Sequence, residues 1–334
     1  MKTALTTKKR LELIEWAGKF NPGSIIKISL PVAKSLRERS ETFLRNYWSL
    51  SRTARNQGVD PSIRNSAHQN LFAVRTKLER WMMDSLLVSL RRGEIFPVNL
   101  LDGTVFGCSL KQGVSFRLPL SVCQPTTQCA GGCYAHDGLD ASISTVIRGA
   151  INGAFAQHYE ESSLTVRKSL LSVFDVPLKK AIRQSINEAK RSSYSRAPRI
   201  RMSHVGELAA FPAFANGMAA RIKKISSGKV ACVIYTRHRK ASLLDPKLFV
   251  INFTLDDSSL ARRAWAPSSA RVVYSAWDGK VRNDVEVNFL EHHHLAHSST
   301  KGAGKVCPAT QPAAKDKTCD GVKCDFCFKP HIAL

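Results

Sequence analysis

The sequence lacks any run of about 18 uncharged apolar residues, which is the length that a membrane-spanning helix requires. Its opening stretch, MKTALTTKKRLELIEW, lacks the apolar core of a secretory signal. Internal repeats and low-complexity tracts are missing as well. We therefore expect a cytoplasmic protein that has no membrane partner and is not secreted by the usual route.

Acidic residues are scarce. The 334 residues include 26 Asp and Glu against 50 Lys and Arg, which gives a formal net charge of +24. This excess favours a polyanionic partner, most simply nucleic acid, although acidic lipid surfaces and phosphorylated ligands stay open on charge alone. Hydrophobic residues make up 43% of the chain, which suffices for a buried core and excludes wholesale disorder.

The hydrophobic pattern divides the chain into three regions. Residues 1–98 are predicted to form a basic helical region, in which the second long helix ends near Gly93. Residues 99–305 hold the predicted strands and a three-cysteine loop. Residues 306–334 form a cysteine-rich tail that is too short to bury a core of its own, so that it needs a metal or docking to become ordered.

The middle region has the pattern of an α/β fold. Two short strands are predicted within residues 104–120, and further strand-like runs begin near residues 199, 229, 247, 270 and 285. Helices are predicted between them, with a break at Pro177. Apolar strands that alternate with helices or long crossovers indicate parallel βα units. Because a complete eightfold barrel takes about 250 residues, we expect a partial βα barrel.

Three cysteines share one short loop. Cys123, Cys129 and Cys133 have the spacing C-x5-C-x3-C, and Gly131 and Gly132 let the backbone fold tightly between them. Three thiolates on a flexible loop can bind three corners of an iron–sulfur cluster and leave one iron open for a small ligand. The alternative is that these cysteines are ordinary buried core residues.

Four more cysteines lie in the tail. Their spacing, C-x11-C-x4-C-x2-C, can close a shell around zinc or a four-iron cluster, and the residues are Cys307, Cys319, Cys324 and Cys327. The chain has nine cysteines, an odd number without a secretory signal, so metal binding is a better expectation than a disulfide framework. Unpaired thiols in a tail are the alternative. The remaining two, Cys108 and Cys232, are expected in the core.

Several short motifs follow one another in an order that resembles a known family. They are the C-x5-C-x3-C loop followed by Tyr134, a helix with Arg148 and Asn152, Arg201-x2-His204-x-Gly206-Glu207, Tyr235-Thr236-Arg237, Ser275 with Asp278, and Cys307-Pro308. Together they resemble the phage gene product 88-like proteins, a radical-SAM-like family of mobile elements. The resemblance covers residues 105–329 and leaves the N-terminal helices unexplained.

The resemblance implies a partial βα barrel of radical-SAM-like type from a phage or plasmid. It implies one cluster on the three-cysteine loop at the carboxyl ends of the strands and an auxiliary cluster on the tail cysteines. It also implies SAM as a candidate ligand, with Tyr134, Arg148 and Asn152 as cofactor-binding residues. The loop is longer than the usual C-x3-C-x2-C of radical-SAM enzymes, and only Gly206-Glu207 approximates their Gly-Gly-Glu strand end.

Five polar residues fall where predicted strands finish, and in a βα barrel such side chains face the site. The predicted catalytic residues are His204, Glu207, Arg237, Ser275 and Asp278. A carboxyl group there is suited to hold a ligand amine or to move a proton, and a guanidinium is suited to bind a carboxylate or phosphate. Ordinary salt bridges or solvated strand ends are the alternative.

Two hypotheses from different functional classes follow. The first is a radical-SAM-like iron–sulfur enzyme that takes electrons from a donor protein and acts on nucleic acid or nucleotides. The second is a non-catalytic nucleic-acid-binding protein, in which structural zinc or cluster sites hold the fold and the basic surface binds phosphates. A protein that contains only zinc would exclude the first hypothesis.

Overall fold

The computed structural model describes the chain over residues 26–27, 60–91, 96–97, 105–109, 113–131, 133, 135, 143–172, 174–192, 196–276, 281–290 and 327. The predicted first helix, Tyr134, Asp278, Cys307, Cys319 and Cys324 lie outside these residues. Two compact units divide the chain. The first is Met1–Phe106, Arg117–Val122 and Cys133–Lys180, and the second is Gly107–Phe116, Cys123–Gly132 and Ala181–Leu334.

The described residues form six α-helices and nine β-strands. The helices are α1 Pro61–Arg91, α2 Thr127–Gly131, α3 Ile143–Glu161, α4 Leu164–Ser172, α5 Asp175–Arg191 and α6 Pro212–Ile225. The strands are β1 Ile26–Lys27, β2 Phe96–Pro97, β3 Phe106–Ser109, β4 Gly113–Phe116, β5 Arg199–Arg201, β6 Ala231–Thr236, β7 Phe249–Leu255, β8 Arg271–Ala276 and β9 Val287–Leu290. None of the described helices has the length and apolarity needed to cross a bilayer.

In the first unit, α1 and α3 pack closely because α3 carries glycines on its contact face. A Cβ atom at Gly153 would lie 2.8 Å from the ring of Pro119 and 2.9 Å from the sulfur of Met83. A Cβ atom at Gly149, one turn earlier, would lie 3.2 Å from the backbone of Leu118. Residues four apart share one helix face, so Gly153 lets this face approach Met83 of α1, and Gly149 lets it approach the segment that contains Leu118.

The predicted break at Pro177 is displaced in the structure. Helix α4 ends at Ser172 and α5 begins at Asp175, so Pro177 lies in the first turn of α5. Proline is tolerated there because the first amides of a helix have no intrahelical acceptor, and its missing N–H therefore costs no hydrogen bond. The proline thus starts a helix instead of breaking one.

The second unit is built on a seven-stranded sheet with the order β3-β4-β5-β6-β7-β8-β9. Every neighbouring pair from β4 to β9 is parallel. All the predicted strand runs are present, and the expectation of an α/β fold with a mostly parallel sheet is confirmed. The strands also lie side by side in the order in which they occur along the chain.

This sheet is strongly curved. The rings of Tyr235 on β6 and Phe289 on β9 have centroids only 6.2 Å apart, although β7 and β8 lie between them. In a flat sheet three strand spacings would separate them by about 14 Å. The registers Tyr235↔Asn252 and Ser275↔Phe289 put both rings on one face of the sheet, which is therefore concave.

Helix α6 packs on the opposite, convex face. Its side chains Phe214, Met218 and Ile222 are buried, and the Phe214 ring lies 6.0 Å from that of Phe116 on β4. The concave face instead carries polar residues from successive strands, among them Ser115, Arg201, Asn252, Arg271 and Ser275. One face of the sheet is thus packed by a helix, and the other face carries buried polar side chains beside valines such as Val233 and Val273.

Candidate metal and ligand site

The carboxyl ends of three adjacent parallel strands carry charged residues. Glu207 follows β5, Arg237 follows β6 and Asp256 follows β7 directly. Ligand sites of α/β proteins form at this edge, because the chain leaves each strand there in a loop that is free to vary. The three side chains are the centre of the candidate site.

Asp256 is fully buried and connects the other residues of this group through hydrogen bonds. It accepts a hydrogen bond from Nη1 of Arg237 at 2.9 Å, another from the Ser258 hydroxyl at 2.8 Å and a third from the Thr126 hydroxyl. Thr126 Oγ1 in turn accepts the backbone N–H of Cys129 at 3.0 Å. One carboxylate therefore fixes both the guanidinium of Arg237 and the cysteine loop.

Two further arginines hold the start of the cysteine loop. Arg262 donates from Nη1 to the backbone oxygen of Gln124 at 2.7 Å and from Nη2 to that of Pro125 at 3.4 Å. The backbone N–H of Arg239 donates to the side-chain oxygen of Gln124 at 3.2 Å. The loop from Cys123 to Thr126 is thereby attached to the segments that follow β6 and β7.

The guanidinium of Arg237 lies among negative groups. Burial lowers its pKa, but the nearby thiols of Cys129 and Cys123 and the carboxyls of Asp256 and Glu207 outweigh burial and raise the pKa. The same charge acts in return on the thiols, because a neighbouring cation stabilises a thiolate. The thiolate is also the form in which a cysteine binds a metal ion.

Glu207 is buried, and the turn that places it is specific. The Ser203 hydroxyl donates to the backbone oxygen of Gly206 at 3.0 Å and accepts the N–H of Leu208 at 3.2 Å. Gly206 has φ 77°, a conformation that favours glycine. The backbone N–H of Arg237 donates to Oε2 of Glu207 at 3.4 Å, whereas Oε1 is buried without a hydrogen-bond partner.

Burial raises the pKa of Glu207 to about 7, and the Thr236 hydroxyl, the Arg237 amide and the Arg237 charge offset this only in part. The unfolded chain ionises this carboxyl near pH 4. Burial of the ionised carboxylate therefore does not lower the free energy of unfolding at pH 4. The destabilisation grows as the pH rises to 7 and stays constant above pH 7. Glu207→Gln removes this destabilisation.

We expect the Glu207→Gln variant to be more stable than the wild type at pH 8, by up to about 3 kcal/mol. The difference should shrink towards zero at pH 4, because both side chains are then neutral. Urea denaturation at both pH values measures the free energy of unfolding. A difference between the two proteins that is the same at pH 4 and pH 8 would contradict the raised pKa.

Two other predicted site residues, His204 and Ser275, lie near strand ends. The backbone N–H of His204 donates to the oxygen of Phe116 at 3.0 Å, and its Nδ1 lies 3.5 Å from Nη1 of Arg201. Ser275 is buried on the concave face, opposite Phe289 in register. Their predicted catalytic roles stay predictions.

In the first unit, a buried ion pair on α1 reaches both flanks of the cysteine loop. Nε of Arg75 donates to Oε1 of Glu79 at 2.8 Å, and each side chain is 1% exposed. Nη1 of Arg75 donates to the backbone oxygen of Ala135, and Oε2 of Glu79 accepts the N–H of Ser121 at 3.2 Å. Ser121 precedes Cys123 and Ala135 follows Cys133, so one ion pair fixes both flanking segments.

The first unit also contains the remaining described residues of the predicted site. Cys133 is half-buried and forms no disulfide. Asn152 is buried, and its amide nitrogen donates to the backbone oxygens of Arg117 at 2.8 Å and Val105 at 3.2 Å. Burial and the nearby charge of Arg117 lower the pKa of Arg148. Cofactor binding by Arg148 and Asn152 stays a prediction.

The thiols differ in their surroundings. Cys123 and Cys129 are half-buried, and neither forms a disulfide. Cys232 is buried in β6, and burial raises its pKa to about 12, which confirms its expected place in the core. Among the described residues, no three His, Cys, Asp or Glu side chains are gathered closely enough to hold a metal ion.

The tail reaches the concave face at Cys327. The Asn252 side chain donates to the backbone oxygen of Cys327 at 2.9 Å and accepts from Nη1 of Arg271 at 3.2 Å. Asn252 is fully buried in the middle of β7, where an apolar residue would be usual. This asparagine therefore holds the backbone of Cys327, one of the four predicted tail ligands, against the sheet.

Several residues of the site escaped prediction from the sequence. Asp256 follows an apolar strand directly and could have been found by the same strand-end criterion as Arg237. The others had no comparable signal, since a threonine, an arginine and a helical Arg–Glu pair are common surface residues. They are Thr126, Arg262, Arg75 and Glu79.

Comparison with protein-family models, curated proteins and solved structures gives no match. The function must therefore be inferred from the residues and the geometry of this chain.

Proposed function

We propose that this chain is a radical-SAM-like iron–sulfur protein of phage or plasmid origin. The cysteine loop would hold one cluster through Cys123, Cys129 and Cys133, and the four tail cysteines would hold a second. The observation that carries the proposal is the attachment of this loop to the carboxyl ends of a curved parallel sheet by Asp256 and Thr126.

The strand order supports a partial βα barrel. Each parallel strand from β5 to β9 lies beside its predecessor and always on the same side. Because crossovers between parallel strands are right-handed in nearly all proteins, this order puts every crossover on one face of the sheet. The packing of α6 on the convex face agrees with it. The concave face then forms the interior, and the strand ends form the mouth of the barrel.

The donor set fits an iron–sulfur cluster. Thiolates are the ligands that such clusters prefer, and the positive charge of Arg237 lies close to two of the three thiols. A cluster with three protein ligands supplies electrons and an open iron for a small ligand. Metal binding gathers ligands that are separate in the free chain, so a loop whose thiols are not yet gathered is compatible with this role.

The chain's own residues would handle protons and charge at the site. Because burial brings the pKa of Glu207 to about 7, this carboxyl can donate or accept a proton near neutral pH. Its unpartnered Oε1 can also accept a hydrogen bond from a ligand amine, as SAM would offer. Arg237 is bound to Asp256 and would hold the thiolate side of the site.

Nucleic acid is the proposed partner, and helix α5 supports it. The exposed residues of α5 are Val176, Asn187 and five cations, Lys179, Lys180, Arg183, Lys190 and Arg191. No carboxylate interrupts this helix face. A row of cations of this kind binds phosphates without sequence preference, and the affinity falls steeply as salt rises.

Metal analysis of the protein purified without oxygen tests the proposal. We expect a brown protein that contains iron and acid-labile sulfide and absorbs broadly near ~400 nm. A colourless protein that contains only zinc would overturn it and favour the alternative, a non-catalytic nucleic-acid-binding protein with structural metal sites.

Cysteine variants then assign the iron to its ligands. We expect Cys129→Ala and Cys324→Ala each to lose a different part of the iron, because they belong to separate cysteine groups. Cys232→Ala is the matched control, since its thiol is buried in β6, and it should retain all the iron. Loss of all the iron in both variants would argue against two clusters.

A further inference from the structure

Two aromatic rings and a guanidinium form a cluster on the concave face of the sheet. The guanidinium carbon of Arg201 lies 4.9 Å from the centroid of the Tyr235 ring. The Phe289 ring is tilted by 59° to the Tyr235 ring, with 6.2 Å between the centroids. All three side chains are only half-buried. We call Arg201, Tyr235 and Phe289 the aromatic platform.

The platform lies at the mouth of the sheet. Arg201 is the last residue of β5, and Tyr235 is the last but one of β6. Glu207 and Arg237 follow these residues by six and two positions in the chain. A group bound on the platform would therefore lie at the same strand ends as the candidate site.

Neighbouring residues hold the platform in place. Val233 and Val250 pack against Tyr235, and Val273 and Val287 pack against Phe289. Nε of Arg201 donates to the backbone oxygen of Ser203 at 3.0 Å, which orients the guanidinium. Within the described chain, no carboxylate forms an ion pair with Arg201, so its charge is available to a ligand.

We propose that the aromatic platform binds an unpaired nucleobase of a single-stranded nucleic acid. Bases stack on aromatic rings and on guanidinium planes regardless of sequence, and an arginine beside the ring also attracts the phosphate. Because the two rings are tilted by 59° to each other, a base stacked on the face of one ring would meet the edge of the other. This inference rests on the proposed function and names the substrate class of that site.

Duplex DNA does not fit the same chemistry, because its bases are stacked on one another and their faces are covered. An isolated nucleotide offers the same base and phosphate as a single strand. The experiment therefore tests single strands and free nucleotides separately, and duplex DNA serves as the comparison.

Fluorescence anisotropy with labelled oligothymidylate, the same strand in a duplex and a matched RNA strand tests the platform. We expect Tyr235→Leu and Phe289→Leu each to weaken single-strand binding by about tenfold or more, because each removes a stacking ring. Tyr235→Phe and Phe289→Tyr, which keep the rings, should bind like the wild type. Arg201→Gln should weaken binding and reduce its salt dependence, because one cation is lost.

A crosslinking experiment needs no variant and so avoids any folding defect. Irradiation of the wild-type protein with a 5-iodouracil oligonucleotide should label peptides that contain Tyr235 or Phe289. Calorimetry with free mononucleotides distinguishes the sources. Mononucleotide binding that both leucine variants abolish assigns the platform to a free nucleotide, and binding of strands alone assigns it to nucleic acid.

The proposal would be overturned if Tyr235→Leu and Phe289→Leu bound single strands as tightly as the wild type. It would also be overturned if the wild type bound neither single strands nor nucleotides. Iron and sulfide content of the same preparations separates this result from failure of the proposed function. Full iron with unchanged binding in the leucine variants rejects only the platform. If the protein contains zinc in place of iron and the leucine variants no longer bind single strands, only the proposed iron–sulfur cluster is rejected.

Discussion

Replacing Arg75 by methionine is expected to lower the free energy of unfolding by about 3–5 kcal/mol, because removal of one partner leaves a buried charge uncompensated. Glu79 is fully buried, and in the variant neither the charge nor the hydrogen bond of Arg75 would stabilise its carboxylate. The hydrogen bond to the backbone oxygen of Ala135 would also be lost. Urea denaturation at pH 7 measures the effect.

The pH dependence of the same variant checks the cause. Burial already raises the pKa of Glu79, and the charge and hydrogen bond of Arg75 work against it. Without Arg75 the pKa rises further, so protonation relieves the buried charge as the pH falls. The destabilisation should therefore be smaller at pH 5 than at pH 8. Lys77→Gln, at an exposed position of the same helix, is the control and should change stability by less than about 0.5 kcal/mol.

The Arg75–Glu79 pair gives helix α1 a structural role. The amino-acid pattern left open whether the N-terminal helices bind nucleic acid, a partner or the barrel. In the described chain, α1 contributes a buried ion pair that holds Ser121 and Ala135, the residues that flank the cysteine loop. Loss of bound metal in Arg75→Met, beyond any loss in Lys77→Gln, would extend this role from stability to the metal site.

The sequence predicts the strands well because each strand is a local feature. Runs such as KLFVINFTL and ARVVYSAW are apolar, rich in β-branched residues and bounded by polar turns. Strand ends could be predicted for the same reason, and Glu207 and Arg237 do contact each other. The curvature of the sheet could not be predicted, because it is visible only in the approach of Tyr235 to Phe289 across two strands.

The burial of charged residues could not be predicted from the sequence, for a physical reason. Arg75 and Glu79 are four residues apart, the spacing of an ordinary solvent-exposed pair on a helix. Nothing local distinguishes them from such a pair, because their burial depends on segments more than 40 residues away, such as Ser121 and Ala135. The same holds for Asp256 and Thr126, which are 130 residues apart in the chain.

Replacing Asp256 by asparagine is expected to lower the free energy of unfolding by about 3–5 kcal/mol, because the mostly buried Arg237 loses its hydrogen-bonded carboxylate. The control is an exposed aspartate, Asp284, which pairs with Arg263 and with Arg282, each at 2.8 Å, compared with 2.9 Å for Asp256 and Arg237. The side chain of Asp284 is 50% exposed, and exposed pairs contribute less than about 1 kcal/mol. Asp284→Asn should therefore be almost neutral.

The two aspartate variants also separate a structural role of Asp256 from a role in the site. Asp256→Asn removes the carboxylate that accepts the Thr126 hydroxyl, whose oxygen in turn accepts the N–H of Cys129, so the cysteine loop should lose one of its attachments to the strand ends while those of Arg262 and Arg239 remain. We expect Asp256→Asn to retain less iron than Asp284→Asn when both are folded, as judged by circular dichroism at low temperature. Equal iron in the two variants would mean that the loop binds its metal without the sheet, and the strand ends would then lose their connection to the cluster.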